Sequence, residues 1–205
     1  MPLVRKPPAT GSQSPTAAAP SLESNSSDDR WAAVRAVADQ PEGVALLAGA
    51  LAREKNLRVR QAIFTGLARI ATAESAAAVV PYLRSEEANL RTGAIDALLA
   101  MPAACARHLP QLLADTDADV RLLSCELVRA LPAPDANRLL AGLLEGETEK
   151  NVCAAAVEVL AETGDATVVP ALQQCLARFA EDPFVAFSIK VALERLGATL
   201  PASSG

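Results

Sequence analysis

The feature that most constrains this chain is an internal repeat of about 30 residues. An apolar residue followed by arginine recurs along the sequence, and related pairs extend the series at both ends. The series runs Asp29-Arg30, Val59-Arg60, Leu90-Arg91, Val120-Arg121, Val152-Cys153 and Phe184-Val185, with spacings of 30, 31, 30, 32 and 32 residues. Such self-similarity is typical of stacked supersecondary units, because one unit of this size cannot bury its apolar face alone.

The residues after each anchor pair predict a helix. Seven positions on, the side chain is apolar in every unit: Val37, Leu67, Leu98, Val128, Leu160 and Ala192. Spacings of three, four and seven place side chains on one stripe of a helix. Eleven positions on stand Pro41, Ala71, Pro102, Pro132 and Gly164. We expect most of these to end the helix, since proline clashes with the preceding turn and glycine permits a left-handed cap.

A second apolar stretch follows each of these stops, so each unit is predicted to be two antiparallel helices. Pro81 and Pro110 fall inside two of the second helices, where we expect a kink or a late start. The loops between units are acidic or polar. An acid or asparagine just before the anchor, such as Asn89 or Asp119, suits the N-cap of the following helix.

The predicted fold is therefore all-α, a right-handed α–α superhelix of five helix pairs plus a C-terminal capping helix. Its first helices are expected on the outer surface and its second helices on the inner one. Residues 28–197 would form this solenoid. Residues 1–27 hold five prolines and six serines without apolar periodicity and are predicted to be a disordered tail, and residues 198–205 a short loose one.

The composition argues against several classes of function. The net charge of −5 and an aromatic content of 3% argue against a nucleic-acid binder. No apolar run is long enough to span a membrane, and no secretory signal opens the chain. The four cysteines form no CxxC and sit in apolar patterns, as expected of reduced core thiols in a cytoplasmic protein. With His108 as the single histidine, no metal site or other cofactor is predicted.

The chain resembles HEAT-repeat proteins with short units, of the kind found in phycobilisome-lyase-like proteins. The matching phrases are NLRVRQA at residues 56–62, DADVR at 117–121 and AVEVLAETGDATVVPAL at 156–172. The overall layout is also similar to small proteobacterial HEAT proteins linked to chemosensory signalling. The resemblance implies a solenoid that presents surfaces to partners. Two enzymatic activities of HEAT-like proteins are not implied. Di-iron hydroxylases need several His-Glu pairs, whereas this chain has one histidine, and DNA glycosylases need a basic groove, whereas the net charge here is −5.

Charged and aromatic residues supply the candidate sites. The arginines of the anchors, Arg30, Arg60, Arg91 and Arg121, are predicted to bridge to acids or carbonyls of adjacent units, with an anion-binding row as the alternative. Trp31 would cover the open end of the stack or anchor a partner, and Phe184 and Phe187 would seal the other end. The partner-binding candidates are polar interruptions of the second helices: Tyr82, Arg84, Arg107, His108, Gln111, Arg138, Gln173, Gln174 and Arg178.

These observations favour a non-catalytic, monomeric adaptor that binds another protein on its inner face, in bacterial signalling, with a chemosensory pathway as the specific setting. No nucleic acid and no membrane is expected as partner. The alternative is a lyase-type subunit or chaperone that assists bilin attachment. A third reading makes the N-terminal tail, which includes residues 3–8, a recognition segment in its own right.

Overall fold

The computed structural model describes residues 21–40 and 42–198, which contain twelve α-helices and no strand. Six of these helices open a repeat unit: α1 (Ser27–Val37), α3 (Leu57–Ile70), α5 (Ala88–Leu99), α8 (Ala118–Val128), α10 (Lys150–Thr163) and α12 (Pro183–Arg195). The others return across them: α2 (Gly43–Leu51), α4 (Ala73–Val79), α6 (Pro102–Cys105), α7 (Leu109–Leu113), α9 (Ala133–Gly146) and α11 (Val169–Arg178).

The helices stack in two layers. In the first layer α1 packs on α3, α3 on α5, α8 on α10 and α10 on α12, while in the second layer α2 packs on α4 and α9 on α11. The predicted α-solenoid of five helix pairs and a final single helix is confirmed. The contact between α5 and α8 is smaller than the others in its layer, and α7 packs mainly on α8. The border between the third and fourth units is therefore formed mainly by α7 against α8 rather than by the two first helices.

The first helices begin earlier than the anchors suggested. Asn56 caps α3 by accepting a hydrogen bond from the Val59 amide, and Asp117 caps α8 by accepting from Asp119. The expected cap Asp119 instead lies in the first turn of α8, where its negative charge faces the positive end of the helix dipole. Asp182 caps α12 from a position two residues before Phe184 of its anchor, because Pro183 begins the helix.

The helix stops follow a different backbone geometry from the one predicted. The left-handed cap is at Ala71, with φ of 53°, whereas Gly164 has φ of −68° and ψ of 160° and is extended. Gly164 serves another purpose, since a Cβ there would collide with the carbonyl oxygen of Leu160. Pro102 is the first residue of α6 and Pro132 is the N-cap of α9, whereas the preceding helices end earlier, at Leu99 and Val128. Pro41 lies outside the described residues.

The prolines within the second helices have the predicted effect. Pro81 lies in a 3₁₀ segment, Val80–Arg84, that follows α4. Pro110 stands at the start of α7, after a 3₁₀ turn at Ala106–His108. Without an amide hydrogen, proline cannot continue the α-helical ladder, so the return path of the third unit is broken into three short pieces.

The apolar stripe predicted from the repeat forms the core. Five of the six residues seven positions after the anchor are fully buried: Leu67, Leu98, Val128, Leu160 and Ala192. Helices approach closely where glycine replaces a larger residue, as at Gly93 of α5, which lies directly against the ring of Phe64. Consecutive units therefore share one continuous core, as stacked hairpins must.

The structure includes the last residues of the predicted N-terminal tail, from position 21 onward. Residues 1–20 and 199–205 lie outside the described residues, and so does most of each predicted tail. Within the described part, Leu22 packs against the core and Arg30 donates to the carbonyl oxygen of Ser24 at 2.9 Å. Residues 21–26 therefore contact the solenoid directly.

Candidate functional site

The repeated arginines are used inside the solenoid. Each donates to the backbone carbonyl six residues earlier: Arg30 to Ser24, Arg60 to Glu54, Arg91 to Ser85 and Arg121 to Asp115, at 2.6 to 2.9 Å. Cys153 replaces arginine in the next unit, and its thiol still donates to the Glu147 carbonyl at 3.7 Å. These bonds hold the loop between units against the start of the following helix. They correspond to the bridging that the sequence predicted.

Three of the four arginines also reach a carboxylate further along the chain. Arg30 holds Glu54 through two hydrogen bonds of 2.7 and 2.9 Å, and Arg121 holds Glu147 at 2.7 and 3.0 Å. Arg60 binds the exposed Glu87. Such paired contacts suit the planar guanidinium fork. Arg91 makes only backbone contacts, because Asp115 in the next loop is bound by Arg84 instead.

The glutamates paired with Arg30 and Arg121, which are Glu54 and Glu147, are buried and remain ionised. The hydrogen bond from Arg30 lowers the pKa of Glu54, against the opposing effect of burial. At Glu147, burial acts to raise the pKa, but the hydrogen bonds from Arg121 and from the amides of Glu149 and Thr148 outweigh it, and the pKa is lowered. These groups are structural ion pairs.

A groove opens in the second layer where the third and fourth units meet. It has a volume of about 340 Å³ and lies between the broken return path of the third unit and α9. Its walls are mostly apolar and rich in proline: Pro102, Ala103, Ala106, Pro110, Leu131, Pro132 and Leu139. Of the predicted partner-binding residues, Arg138 lines this groove, and its guanidinium contacts Asp135 at 3.3 Å.

Arg107 and Gln111 are exposed on the elements that form one wall of the groove. Arg107 lies on the side towards α4. The pKa of Glu74 in α4 is lowered mainly by hydrogen bonds with its own backbone amide and with the Thr72 side chain, and the charge of Arg107 lowers it further. His108 is half-buried, and burial followed by the charge of Arg107 lowers its pKa. Its Nε2 atom has no hydrogen-bond partner among the described residues.

The other predicted residues do not join this groove. Tyr82 packs edge-on against Phe64, with ring centroids 5.8 Å apart. The guanidinium of Arg178 donates to the carbonyls of Leu144, Glu145 and Glu147, so it caps the end of α9. Gln173 and Gln174 are exposed on α11, one unit beyond α9. The nine candidates therefore do not form a single cluster, because a polar interruption of an apolar run does not reveal what that side chain contacts.

A second groove lies in the first layer, between α1 and α3, and the sequence had not predicted it. Its volume is about 500 Å³, and Trp31, Arg35, Arg58 and Arg69 are among its lining residues. Trp31 is half-buried there rather than closing the end of the stack. The only signal in the sequence was Trp31 itself, beside the basic surplus of residues 30–69.

The prediction that Phe184 and Phe187 seal the C-terminal end is wrong. Their exposed fractions are 68% and 67%, because both side chains lie on the outer face of α12. They border a smaller groove, of about 410 Å³, between α10 and α12. The buried face of α12 consists instead of Val185, Ile189, Ala192 and Leu193.

The cysteines are core residues, and a hydrogen bond from Cys153 lowers the pKa of Cys175. All four are buried and free. Burial raises the pKa of Cys105 to about 11 and is the main cause that raises the pKa of Cys125 to about 12, which suppresses the thiolate. Within residues 21–40 and 42–198, His, Cys, Asp and Glu form no group of three or more suited to a metal ion. In the same part of the chain, no helix has the length and apolarity needed to cross a membrane.

The match to a family model agrees with the repeat. Residues 106–194 match the family model of HEAT repeats. No curated protein matches the chain. Two similar solved structures are a designed armadillo repeat protein and the complex of CpcE and CpcF of phycocyanin lyase from Nostoc sp. PCC7120. The first is 17% identical with a TM-score of 0.45, over 85% of this chain and 96% of the other. The second is 20% identical with a TM-score of 0.47, over 96% and 81%.

Proposed function

We propose that this chain, a HEAT-repeat protein, is a non-catalytic adaptor that binds another protein on the surface of its second helices. The groove between the third and fourth units is the observation that carries the proposal. It combines apolar, proline-lined walls with the exposed side chain of Arg138 at its edge. Arginine beside an apolar pocket is a frequent energetic centre of protein interfaces.

The local packing supports a preformed site. Pro102 and Pro110 break the return path of the third unit, so it cannot lie along α9 as a continuous helix would. Proline also restricts the backbone of the groove walls, which lowers the conformational entropy that a partner would have to remove on binding. Arg107 and Gln111 would extend the contact surface towards α4.

The experiment reverses charge at this surface. A partner captured by affinity purification from the native host is purified, and its Kd is measured with the wild type and with Arg107→Glu/Arg138→Glu. We expect binding to weaken about tenfold or more, the equivalent of about 1.4 kcal/mol. The control, Lys190→Glu/Arg195→Glu, makes the same change in net charge at exposed sites on α12 and should leave the Kd unchanged. Equal affinity for all three proteins would reject this surface.

The N-terminal tail is tested separately. Because residues 21–26 contact the solenoid, the deletion removes residues 1–20 only. If the second helices bind the partner, the truncated chain should retain its affinity. Loss of capture on this deletion, with Arg107→Glu/Arg138→Glu still binding, would instead make the tail the recognition segment.

For the setting we propose bacterial signalling, of the chemosensory kind, in the cytoplasm and with the adaptor as a monomer. This part rests on the resemblance of the overall layout, and the genes beside the coding sequence in its host would test it. The alternative of a lyase-type subunit for bilin attachment receives no support from the thiols, which are buried. A tetrapyrrole bound to the purified protein would favour that alternative over the adaptor.

A further inference from the structure

We propose that the groove between α1 and α3 binds an acidic amphipathic helix of a partner protein, at a site separate from the second-helix surface. The lining residues lie at helical spacing on both walls. On α3 they extend from Arg58 to Arg69, which at 1.5 Å per residue is about 16 Å. This length accommodates about three turns of a docked helix, the mode in which an apolar helix face enters a groove.

The floor of the groove is apolar. Small residues, Ala38, Ala62 and Gly66, lie along it beside Val34. Gly66 lies against Ala38 of the chain itself, so an apolar side chain of a partner would rest on the partly exposed Ala62. The groove continues towards α5, where Leu57 is 55% exposed in the neighbouring surface depression that shares Arg58 and Gln61.

Trp31 is positioned as an anchor at one end. Two guanidinium groups stack on its ring, with Arg35 at 4.9 Å and Arg58 at 4.7 Å from the ring centroid. Cation–π contacts on the indole hold its orientation before any partner arrives. A half-buried, preoriented tryptophan loses little side-chain entropy on binding, which is one reason that tryptophan is frequent at interface centres.

The charges at the rim select an acidic ligand. Arg58 is paired with Asp28, and Arg69 with Asp39. Arg35 stacks on Trp31 but has no carboxylate within salt-bridge distance among the described residues. The rim therefore carries three guanidinium groups, of Arg35, Arg58 and Arg69, against the two carboxylates of Asp28 and Asp39, and Arg35 is the cation that remains for a ligand. A partner with glutamates beside its apolar face would therefore complement the groove, and the field would also accelerate its association.

The chain's own N-terminal segment does not suit this groove by charge. Residues 1–20 include Arg5 and Lys6 and no aspartate or glutamate, so their charge has the same sign as the rim. A second copy of the chain is a further possible occupant, and it is distinguished in the experiment below. The partner argued for here is a different protein that presents an acidic helix.

The test uses the full chain and a fluorescein-labelled peptide of about four helical turns, with leucines every three or four positions and glutamates elsewhere. Trp31 is the only tryptophan, so its emission reports this groove directly. We expect saturable anisotropy together with a shift of the Trp31 emission. Arg35→Glu should weaken binding about tenfold or more, and Thr65→Glu, which adds a negative charge on the groove wall without contacting Trp31, should weaken it as well.

Two controls make the result specific. Arg195→Glu changes the charge equally at the groove between α10 and α12 and should not affect the Kd. A peptide with lysine in place of glutamate should not bind. The proposal is overturned by equal binding of both peptides, by unaffected binding to Arg35→Glu, or by the absence of binding.

Two other outcomes would also overturn it in favour of another occupant. Concentration-dependent dimerisation that Arg35→Glu abolishes would assign the groove to a second copy. A gain in peptide affinity on deletion of residues 1–20 would assign it to the chain's own segment. Because the variants lie on the first layer, a negative result here leaves the Arg107 and Arg138 experiment unaffected.

Discussion

Removal of the Arg121 guanidinium should cost about 3 kcal/mol of unfolding free energy. Arg121→Met keeps much of the aliphatic side chain but eliminates two hydrogen bonds to Glu147 and two to the carbonyls of Asp115 and Thr116. The Glu147 side chain is only 3% exposed and retains the amides of Thr148 and Glu149 as donors. A buried carboxylate left without its cation costs about 3 to 5 kcal/mol, and the partial exposure of Arg121 places the expected loss at the lower end.

Urea unfolding followed by far-UV circular dichroism measures this loss, with the urea m-value checked for constancy. In a thermal scan the same loss corresponds to about 6 to 12 °C for a chain of this size. The matched control is Arg138→Met, whose pair with Asp135 is exposed on both sides and should contribute less than about 1 kcal/mol. In a double-mutant cycle with Glu147→Gln, we expect a coupling of about 2 kcal/mol. Equal stabilities of Arg121→Met and Arg138→Met would refute the reasoning.

Two further results follow from packing and ionisation. Gly93→Ala should destabilise the protein by about 1 to 3 kcal/mol, because its Cβ would lie 2.5 Å from the Phe64 ring. Gly142→Ala, with open space around it, should instead stabilise α9 by about 0.5 to 1 kcal/mol. Chemical denaturation measures both changes in unfolding free energy, and a similar sign for both would contradict the packing argument. The stability that Glu147 contributes through its lowered pKa is complete above its ordinary pKa of 4.5 and is lost as pH falls through the folded value. The difference in unfolding free energy between wild type and Glu147→Gln should therefore shrink as pH is lowered from about 7 to about 3, and a constant difference would be inconsistent with this ion pair.

The repeat and the helix pairs could be predicted because their signals are local and occur several times. The apolar stripe places Leu67, Leu98 and Leu160 in the core whatever the exact rotation of neighbouring units. The effects of Pro81 and Pro110 are equally local, since they follow from the missing amide hydrogen. Errors in the helix starts, such as Asp119 in place of Asp117, are of about half a turn.

Contacts between units were harder to predict. Arg121 pairs with Glu147 in the next loop, 26 residues away, and nothing in the local pattern distinguishes Glu147 from the neighbouring acids. The same holds for Arg178. Its position in an apolar run predicts an exposed side chain, but its guanidinium donates to the carbonyls at the end of α9. Such contacts depend on the rotation between successive units. The position of Trp31 at a groove likewise follows from how α1 lies on α3.

The bond from the first-helix arginine to the carbonyl six residues earlier has a consequence for how this architecture can change in length. The donor and the acceptor lie within a stretch of seven residues. Because the acceptor is a backbone carbonyl, the bond does not depend on the side chain at the acceptor position. It persists with glutamate, serine or aspartate there, and a thiol replaces the guanidinium at Cys153. A duplicated or deleted hairpin would therefore keep this bond, whereas the arginine–glutamate pairs to the next loop, such as Arg121 with Glu147, would have to form again.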